Sequence, residues 1–472
     1  MYSMSVSQGV QGHPQRWLIL GVICLAQLTV LLDNTVLNVA IPSLTRELGA
    51  ETSDIQWMIN AYSLVQSGLL LTAGSAADRY GRKKMLLTGL VLFGLGSLAA
   101  GLADGTGQLI AARAGMGVGG ALLLTTTLAV AMQIFTPEEQ PRAIGIWAAV
   151  NALGFAAGPL LGGFLLDHFW WGAIFLVNLP VVALALVAVV FLVPESRNPR
   201  GDRPDLLGAL LSTIGMACLV FAIISGPGHG WTSVRVLSTA AVAVLALGAF
   251  AYGESRIPYP MLDPHFFRDR RFTGAVTGAV LITFGMGGAL FLLTQHLQLV
   301  LGYGPLEAGL RTAPLALTVV ALNFSGLSAK WAALLGTPVS IAAGMVLMAG
   351  GLVTIAVLDA GGYAGTLVGL LLIGAGCAIA NPAMAHAIMS SIPPEKAGVG
   401  AGINGTLAEF GNGLGVAVLG AVLSSSGGLV EGLRAGQLVG AAAVLLGGFV
   451  AAALLRRAQR ADSEMVVAHG PG

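Results

Sequence analysis

Long apolar stretches broken by short polar segments organise this chain. A helix that crosses a membrane needs about 20 mainly apolar residues. Scanning at that length predicts fourteen spans. They lie near 17–40, 55–76, 84–102, 108–132, 142–165, 171–193, 206–224, 234–253, 272–298, 307–328, 337–358, 363–388, 398–423 and 436–455. The first run is as long as a span and lacks a small-residue cleavage pattern after a short core, so no cleavable leader is expected. Composition agrees, with 56% of the 472 residues hydrophobic and only 10% charged. A compact water-soluble fold cannot hide that much apolar surface. The expectation is an all-α polytopic membrane protein, which excludes a soluble enzyme, a nucleic-acid binder or a disordered scaffold. The 23 basic and 22 acidic residues nearly cancel, so net charge points to no anionic partner.

Where the charges lie is more informative than their sum. An even number of spans puts both termini on one side. Eighteen of the 23 Lys and Arg residues then fall on that side. Only Arg46, Arg235 and Arg434 fall opposite, while Arg113 and Arg311 lie in or at the edge of spans. Positive loops stay in the cytoplasm. The chain is therefore expected to be multi-pass in a bacterial cytoplasmic membrane, with both termini cytoplasmic. Heavy Gly and Ala usage suggests a high-GC, actinomycete-like genome.

The longest loops on the positive side, 194–205 and 254–271, are rich in Arg and Pro and bracket two plainly apolar spans. This predicts an N-terminal six-helix bundle over 1–193 and a linker with two extra spans over 194–271. A C-terminal six-helix bundle over 272–455 and a cytoplasmic tail over 456–472 complete the division. The two bundles echo each other. GMGVGGALLLTTTLAVAMQIFTPEEQ in the first corresponds to GAGCAIANPAMAHAIMSSIPPEK in the second, each ending in a Pro-Glu turn. Duplication of this kind points to a transporter whose halves rock about a midplane site. Chance similarity between Gly/Ala-rich helices is the competing explanation.

Of the acidic residues, Asp33 lies inside span one, Glu409 inside span thirteen and Glu307 at the edge of span ten; the rest lie in loops or tails. An ionised carboxylate in hydrocarbon costs at least about 2.5–3.5 kcal/mol. Such a group therefore faces a cavity, has a partner or carries a proton. By helical rise, Asp33 sits roughly 24 Å and Arg113 roughly 21 Å above the positive side of a core about 30 Å thick. The two are expected to pair, and Glu409 lies near the midplane at roughly 17 Å. Asp33, Glu409 and Arg113 are thus the candidate proton-coupling residues, against the alternative of a structural ion pair that never cycles. Asn34, Asn38, Tyr62, Gln66, Asn151, His296 and Asn323 are candidate cavity residues, although each could instead be interhelical hydrogen-bonding glue. Cys24, Cys218 and Cys377 show no disulfide or metal spacing and read as small apolar packers. No metalloprotease helix, nucleophile elbow or phosphate-binding loop is present, which disfavours an enzyme or an ATP-driven pump.

GSAADRYGRKK over 74–84 resembles the signature loop of the major facilitator superfamily. By that resemblance Gly74, Asp78, Arg79, Gly81 and Arg82 would form a gate loop. The glycines would allow close packing and a turn, and the charges would latch the inner mouth. GFAAGPLLGG over 154–163 is similar to the family's antiporter motif, with Gly154, Gly158, Pro159, Gly162 and Gly163 in place. RAGMGVGGA from Arg113 resembles the motif in which that Arg is tied to proton coupling. LDNTVLNVAIP over 32–42, QWMINAYSL over 56–64 and the run from Trp170 to Pro180 look like the 14-span drug/proton antiporter branch. Two departures stand out. The corresponding second-half loop keeps only Lys330, so a symmetric latch is not expected. Span two has no carboxylate, whereas some members of the family handle divalent cations with a second carboxylate there, so the resemblance does not extend to efficient export of dications.

The resemblance implies a proton-coupled antiporter exporting small lipophilic compounds, cationic ones and antibiotics included, by alternating access. It implies no cofactor beyond the proton gradient, a small-molecule substrate, protons and the lipid bilayer as partners, and a monomer. Two other readings compete. One is a dedicated exporter of a single self-made antibiotic or siderophore. The other is a receptor or scaffold that transports nothing.

Overall fold

The computed structural model describes residues 14–136, 139–197, 204–257, 260, 262, 264–358, 362–391 and 397–469. Arg200, Arg203 and Lys396, counted above among the orienting charges, lie outside the described residues, as does the side chain of Asn151. The described chain is helical. In hydrocarbon every backbone N–H and C=O must be satisfied within the segment, and a helix does this without a partner.

The first half comprises α1 (Arg16–Leu48), α2 (Thr52–Tyr80), α3 (Arg82–Gly101), α4 (Thr106–Ile134), α5 (Gln140–His168), α6 (Ala173–Leu176) and α7 (Asn178–Leu192). Then come α8 (Leu206–His229) and α9 (Val234–Glu254). The second half holds α10 (Arg270–Gln295), which continues as a π turn over His296–Val300, and α11 (Pro305–Phe324). It is completed by α12 (Leu327–Leu335), α13 (Thr337–Val357), α14 (Tyr363–Ser390), α15 (Ala397–Ser425) and α16 (Leu429–His469).

Local chemistry sets the breaks. Gly49 ends α1 at φ 63°, a left-handed value that suits glycine. Glu51 and Asp54 form a reciprocal capping box at the start of α2. The side chains of Asp205, Ser233 and Asp269 cap α8, α9 and α10.

Twelve helical segments among the described residues are long and apolar enough to cross a membrane. α2 and α5, at 29 residues each, are as long but are not among the twelve. α2 turns Gln56, Asn60, Ser63, Gln66 and Ser67 inward, which lowers its hydropathy while keeping those groups off the lipid. Elsewhere the span ends shift. The span expected over 171–193 begins with a separate turn, α6. The loop after α11 holds the short helix α12, which sequence pattern did not predict. α16 runs to His469, so residues 456–469, expected as a tail, continue the helix.

α1 packs against α4, α5 and α7; α2 against α4; and α3 against α4 and α7. α10 packs against α14, α15 and α16, and α13 against α14 and α16. Two seams join the halves, α2 on α15 and α5 on α11. α8 lies over the first seam, touching both α2 and α15 through an apolar cluster that includes Leu64, Met216, Val220 and Ala417.

At the end of the molecule carrying Gly81, Arg16 Nη2 donates to Glu139 Oε1 at 2.8 Å. The Arg16 hydrogen bond holds the Glu139 carboxyl below its ordinary value of 4.5. A lowered folded-state value stabilises above the ordinary pKa and stops doing so as pH falls through the lowered one. The native chain should therefore lose melting temperature relative to Glu139→Gln on acidification from neutrality past pH 4.5. A gap between the two that does not depend on pH would contradict this.

Candidate functional site

The centre of the first half is a buried ion pair. Asp33 lies in mid-α1, and its carboxylate meets Nη1 of Arg113 from α4. Each side chain is only 1% exposed. Charges so far from water persist only when paired and hydrogen-bonded. Arg113 meets that condition with a second bond, Nε donating to the carbonyl of Met58 on α2 at 3.0 Å. Its guanidinium also stacks over the Tyr62 ring, 4.5 Å from the centroid, with Phe175 of α6 at 6.0 Å. Asn178 at the start of α7 hydrogen-bonds Asp33 and donates to Ser97 Oγ at 3.2 Å. One arginine thus ties α1, α2, α4 and α6 together.

Glu409 stands on α15, in the other half, across the seam from α2. Ser63 hydrogen-bonds it, and Tyr62 and Arg113 lie within its electrostatic reach. Its Oε2 is shielded from solvent and has no hydrogen-bond partner, and the same holds for Asn60 Oδ1 and Gln66 Oε1 on α2. The two carboxyls are thus gathered around one stretch of α2, residues 58–63. Among the described residues no cluster of His, Cys, Asp and Glu could hold a metal ion.

The expected cavity residues separate. Tyr62 and Gln66 are fully buried, with Gln66 Nε2 donating to the Tyr62 hydroxyl at 3.2 Å, so they support Arg113 rather than line an open cavity. Asn34 and Asn38 are half-buried. Asn38 lines a cavity of about 20 Å³ between the halves, with Thr35, Pro159, Thr294 and Thr312. That is room for about one water molecule. His296 is buried at the π turn of α10. Asn323 is exposed at the end of α11, where it accepts from Ser328 Oγ at 2.8 Å. It is too far along its helix to share a midplane site. Hydropathy could not make this distinction, because a fully packed Tyr and a cavity Tyr look alike in sequence.

The antiporter-like stretch is a packing device. Gly154, Gly158 and Gly162 recur every four residues and so form one face of α5. A Cβ at Gly154 or Gly158 would collide with α1, at Leu31 and Thr35, and one at Gly162 would press tightly on Val36. Gly163 and Pro159 face α11, where Leu306 and Gly309 approach their backbones. Small residues allow this close approach. Pro159 lies within α5. Gly158→Ala is expected to cost about 1–3 kcal/mol by overpacking against Thr35. Thr35→Ala in the same chain should recover much of that loss in a detergent melting curve. An unchanged melt for Gly158→Ala would contradict the packing role.

In the gate loop, Asp78 pairs with Arg82 at 2.7 Å, and Arg82 Nη1 reaches the carbonyl of Ala129 on α4 at 3.2 Å. Arg79 is half-buried in the last turn of α2. Gly81 adopts φ 116°, and a side chain there would strike Glu195, whose carboxylate accepts from the backbone N–H groups of Lys83 and Lys84. Sequence analysis missed Glu195. The close packing expected at Gly74 is not found, since a Cβ there would meet nothing within 4 Å.

Two facing helical bundles, seams of small residues and an ion pair buried inside the first of them define a polytopic transporter. The major facilitator superfamily pattern matches residues 23–416. The chain belongs to that family. It is 37% identical over 398 residues to the multidrug resistance protein Stp of Mycobacterium tuberculosis, covering 84% of this chain and 74% of that protein. It is 33% identical to the tetracenomycin C resistance and export protein of Streptomyces glaucescens, covering 89% and 78%. Its fold resembles the crystal structure of a peptide transporter, POT, with a TM-score of 0.72 and 17% identity over 96% of each chain.

Proposed function

We propose that this protein is a proton-coupled efflux antiporter that exports small lipophilic drugs, cationic ones among them, by alternating access. In this reading α2 and α5 complete fourteen spans, and both termini face the cytoplasm of a bacterial cell. Protons arriving from outside neutralise Asp33 and Glu409 and favour substrate release to the outside. Substrate from the inner leaflet or cytosol then displaces them.

The observation that carries the reading is the pair of carboxyls, one from each half, converging on residues 58–63 of α2. Neither is needed to bury apolar surface, and each is costly in hydrocarbon. The resistance proteins of similar sequence support the drug as cargo. Proton-driven dye efflux in inverted vesicles tests it: acidifying the lumen should drive dye accumulation, and collapse of the gradient should stop it. Dye movement that ignores the gradient would refute coupling.

Export of one self-made antibiotic is the second reading, favoured by the similarity to the tetracenomycin C export protein. A knockout exposed to a panel of toxic compounds separates the two. Sensitisation to one compound supports the narrow exporter, and sensitisation to many supports the broad one.

A further inference from the structure

The buried ion pair and the α2–α15 seam are only two residues apart on α2. Gln56 is 1% exposed, and its side-chain amide crosses the seam. Nε2 donates to two successive carbonyls of α15, Val416 at 3.1 Å and Ala417 at 2.9 Å. Gly420 leaves room for it, since a Cβ there would strike the Gln56 carboxamide. Two residues on, about 3 Å along the helix axis, the carbonyl of Met58 takes the hydrogen bond from Arg113 Nε. The same guanidinium holds Asp33.

We propose that Gln56 is the latch that holds α2 on α15, and that the Arg113–Met58 bond makes this latch answer to the state of Asp33. The proposal rests on the alternating-access reading above. While Asp33 is ionised, Arg113 is fixed between α1 and the α2 backbone, and Gln56 is held in register with Val416 and Ala417. When Asp33 takes up a proton, the charge that anchors Arg113 is gone. The guanidinium is still a cation and still needs acceptors, so it shifts, and the α2 backbone bonded to it shifts with it. Side-chain hydrogen bonds between membrane helices are individually weak. Hydrogen bonds of this kind reach to about 3.2 Å, and the two at Gln56 already measure 3.1 and 2.9 Å, so a displacement of about 1 Å is enough to release them. A second bond of the same kind closes the same end of the molecule. Gln298, in the π turn after α10, donates to the carbonyl of Val39 on α1 at 2.9 Å. Val39 lies six residues beyond Asp33, so both bridges start from helices that the ion pair joins.

The test is a distance between the halves at that end. Spin labels at Asp104 and Ser425, both exposed, report it by double electron–electron resonance. Cys24, Cys218 and Cys377 are replaced by alanine, and the full chain is reconstituted in liposomes between pH 5 and pH 8. In Gln56→Ala the longer-distance population should rise about three- to tenfold, the effect of losing two weak interhelical hydrogen bonds. Its dependence on pH should flatten. Gly420→Ala, which displaces the Gln56 amide from the other side, should do the same, with melting curves used to check that both variants fold. If both variants keep the native distribution at every pH, the latch is wrong. Glu409 of α15 faces the same stretch of α2 through Ser63, so the response is also read in Asp33→Asn: a native pH response that survives Asp33→Asn overturns the tie to Asp33. Dye efflux is measured alongside. Lost efflux with native distances counts against the latch, and raised distances in a chain that never exported dye count against the exporter instead.

Discussion

Asp33→Asn combined with Glu409→Gln is expected to reduce proton-driven dye efflux to that of vesicles lacking the protein. Asparagine and glutamine keep the shape and much of the hydrogen bonding of the two carboxyls but cannot bind and release a proton. After Asp33→Asn the amide oxygen still accepts from Arg113, and after Glu409→Gln the side chain still meets Ser63, so the helices keep their packing partners. What disappears is the exchange of a proton for a substrate in each half. Each single variant should retain gradient-independent dye binding, measured by fluorescence polarisation in detergent, which separates lost coupling from lost substrate affinity. Coupled efflux surviving the double substitution would end the proposed mechanism and leave the carboxyls as structural groups.

Arg113→Ala should be the most destabilising single substitution of the site. It removes the only cation facing Asp33 among the described residues and leaves a carboxylate that is 1% exposed without a counter-charge. Breaking a buried pair by removing one partner costs about 3–5 kcal/mol. It also empties the space over Tyr62 and frees the Met58 carbonyl. Asp33→Asn in the same chain should restore part of the loss, because an amide tolerates burial without a counter-charge. The two changes should therefore be strongly non-additive in a double-mutant cycle. Thermal melting in detergent provides the measurement. Additive losses would show that Asp33 and Arg113 do not depend on each other.

Much of the architecture was open to sequence reading because the bilayer imposes a simple rule. Hydrocarbon demands long apolar runs, and a charge inside one needs a reason. Asp33 and Arg113 could be paired from helical rise alone, since both sit at known distances from the ends of their spans. The glycines at 154, 158 and 162 repeat every four residues, so a shared face was implied. Other features follow from partners distant in sequence. Nothing around Gln56 distinguishes it from Gln66, yet one crosses a seam and the other holds a tyrosine. Glu195 looks like an ordinary loop carboxylate, yet it caps α3 and closes on Gly81. Gly74 lies in a motif that suggests close packing, and no neighbour comes near it.

The sequence by itself determined the membrane-spanning class, the approximate spans and the few charges that hydrocarbon makes expensive. Those depend on local hydropathy and on the cost of burying charge, which need no knowledge of neighbours. Only the tertiary structure decided that Arg113 bonds the α2 backbone as well as Asp33, that Tyr62 is packed rather than exposed, and that Gln56 bridges the halves. The hydrogen bonds of Arg113 to Met58 and of Gln56 to Ala417 join residues 55 and 361 positions apart. Their geometry is set by how helices pack across the seams, which apolar periodicity along one chain does not encode.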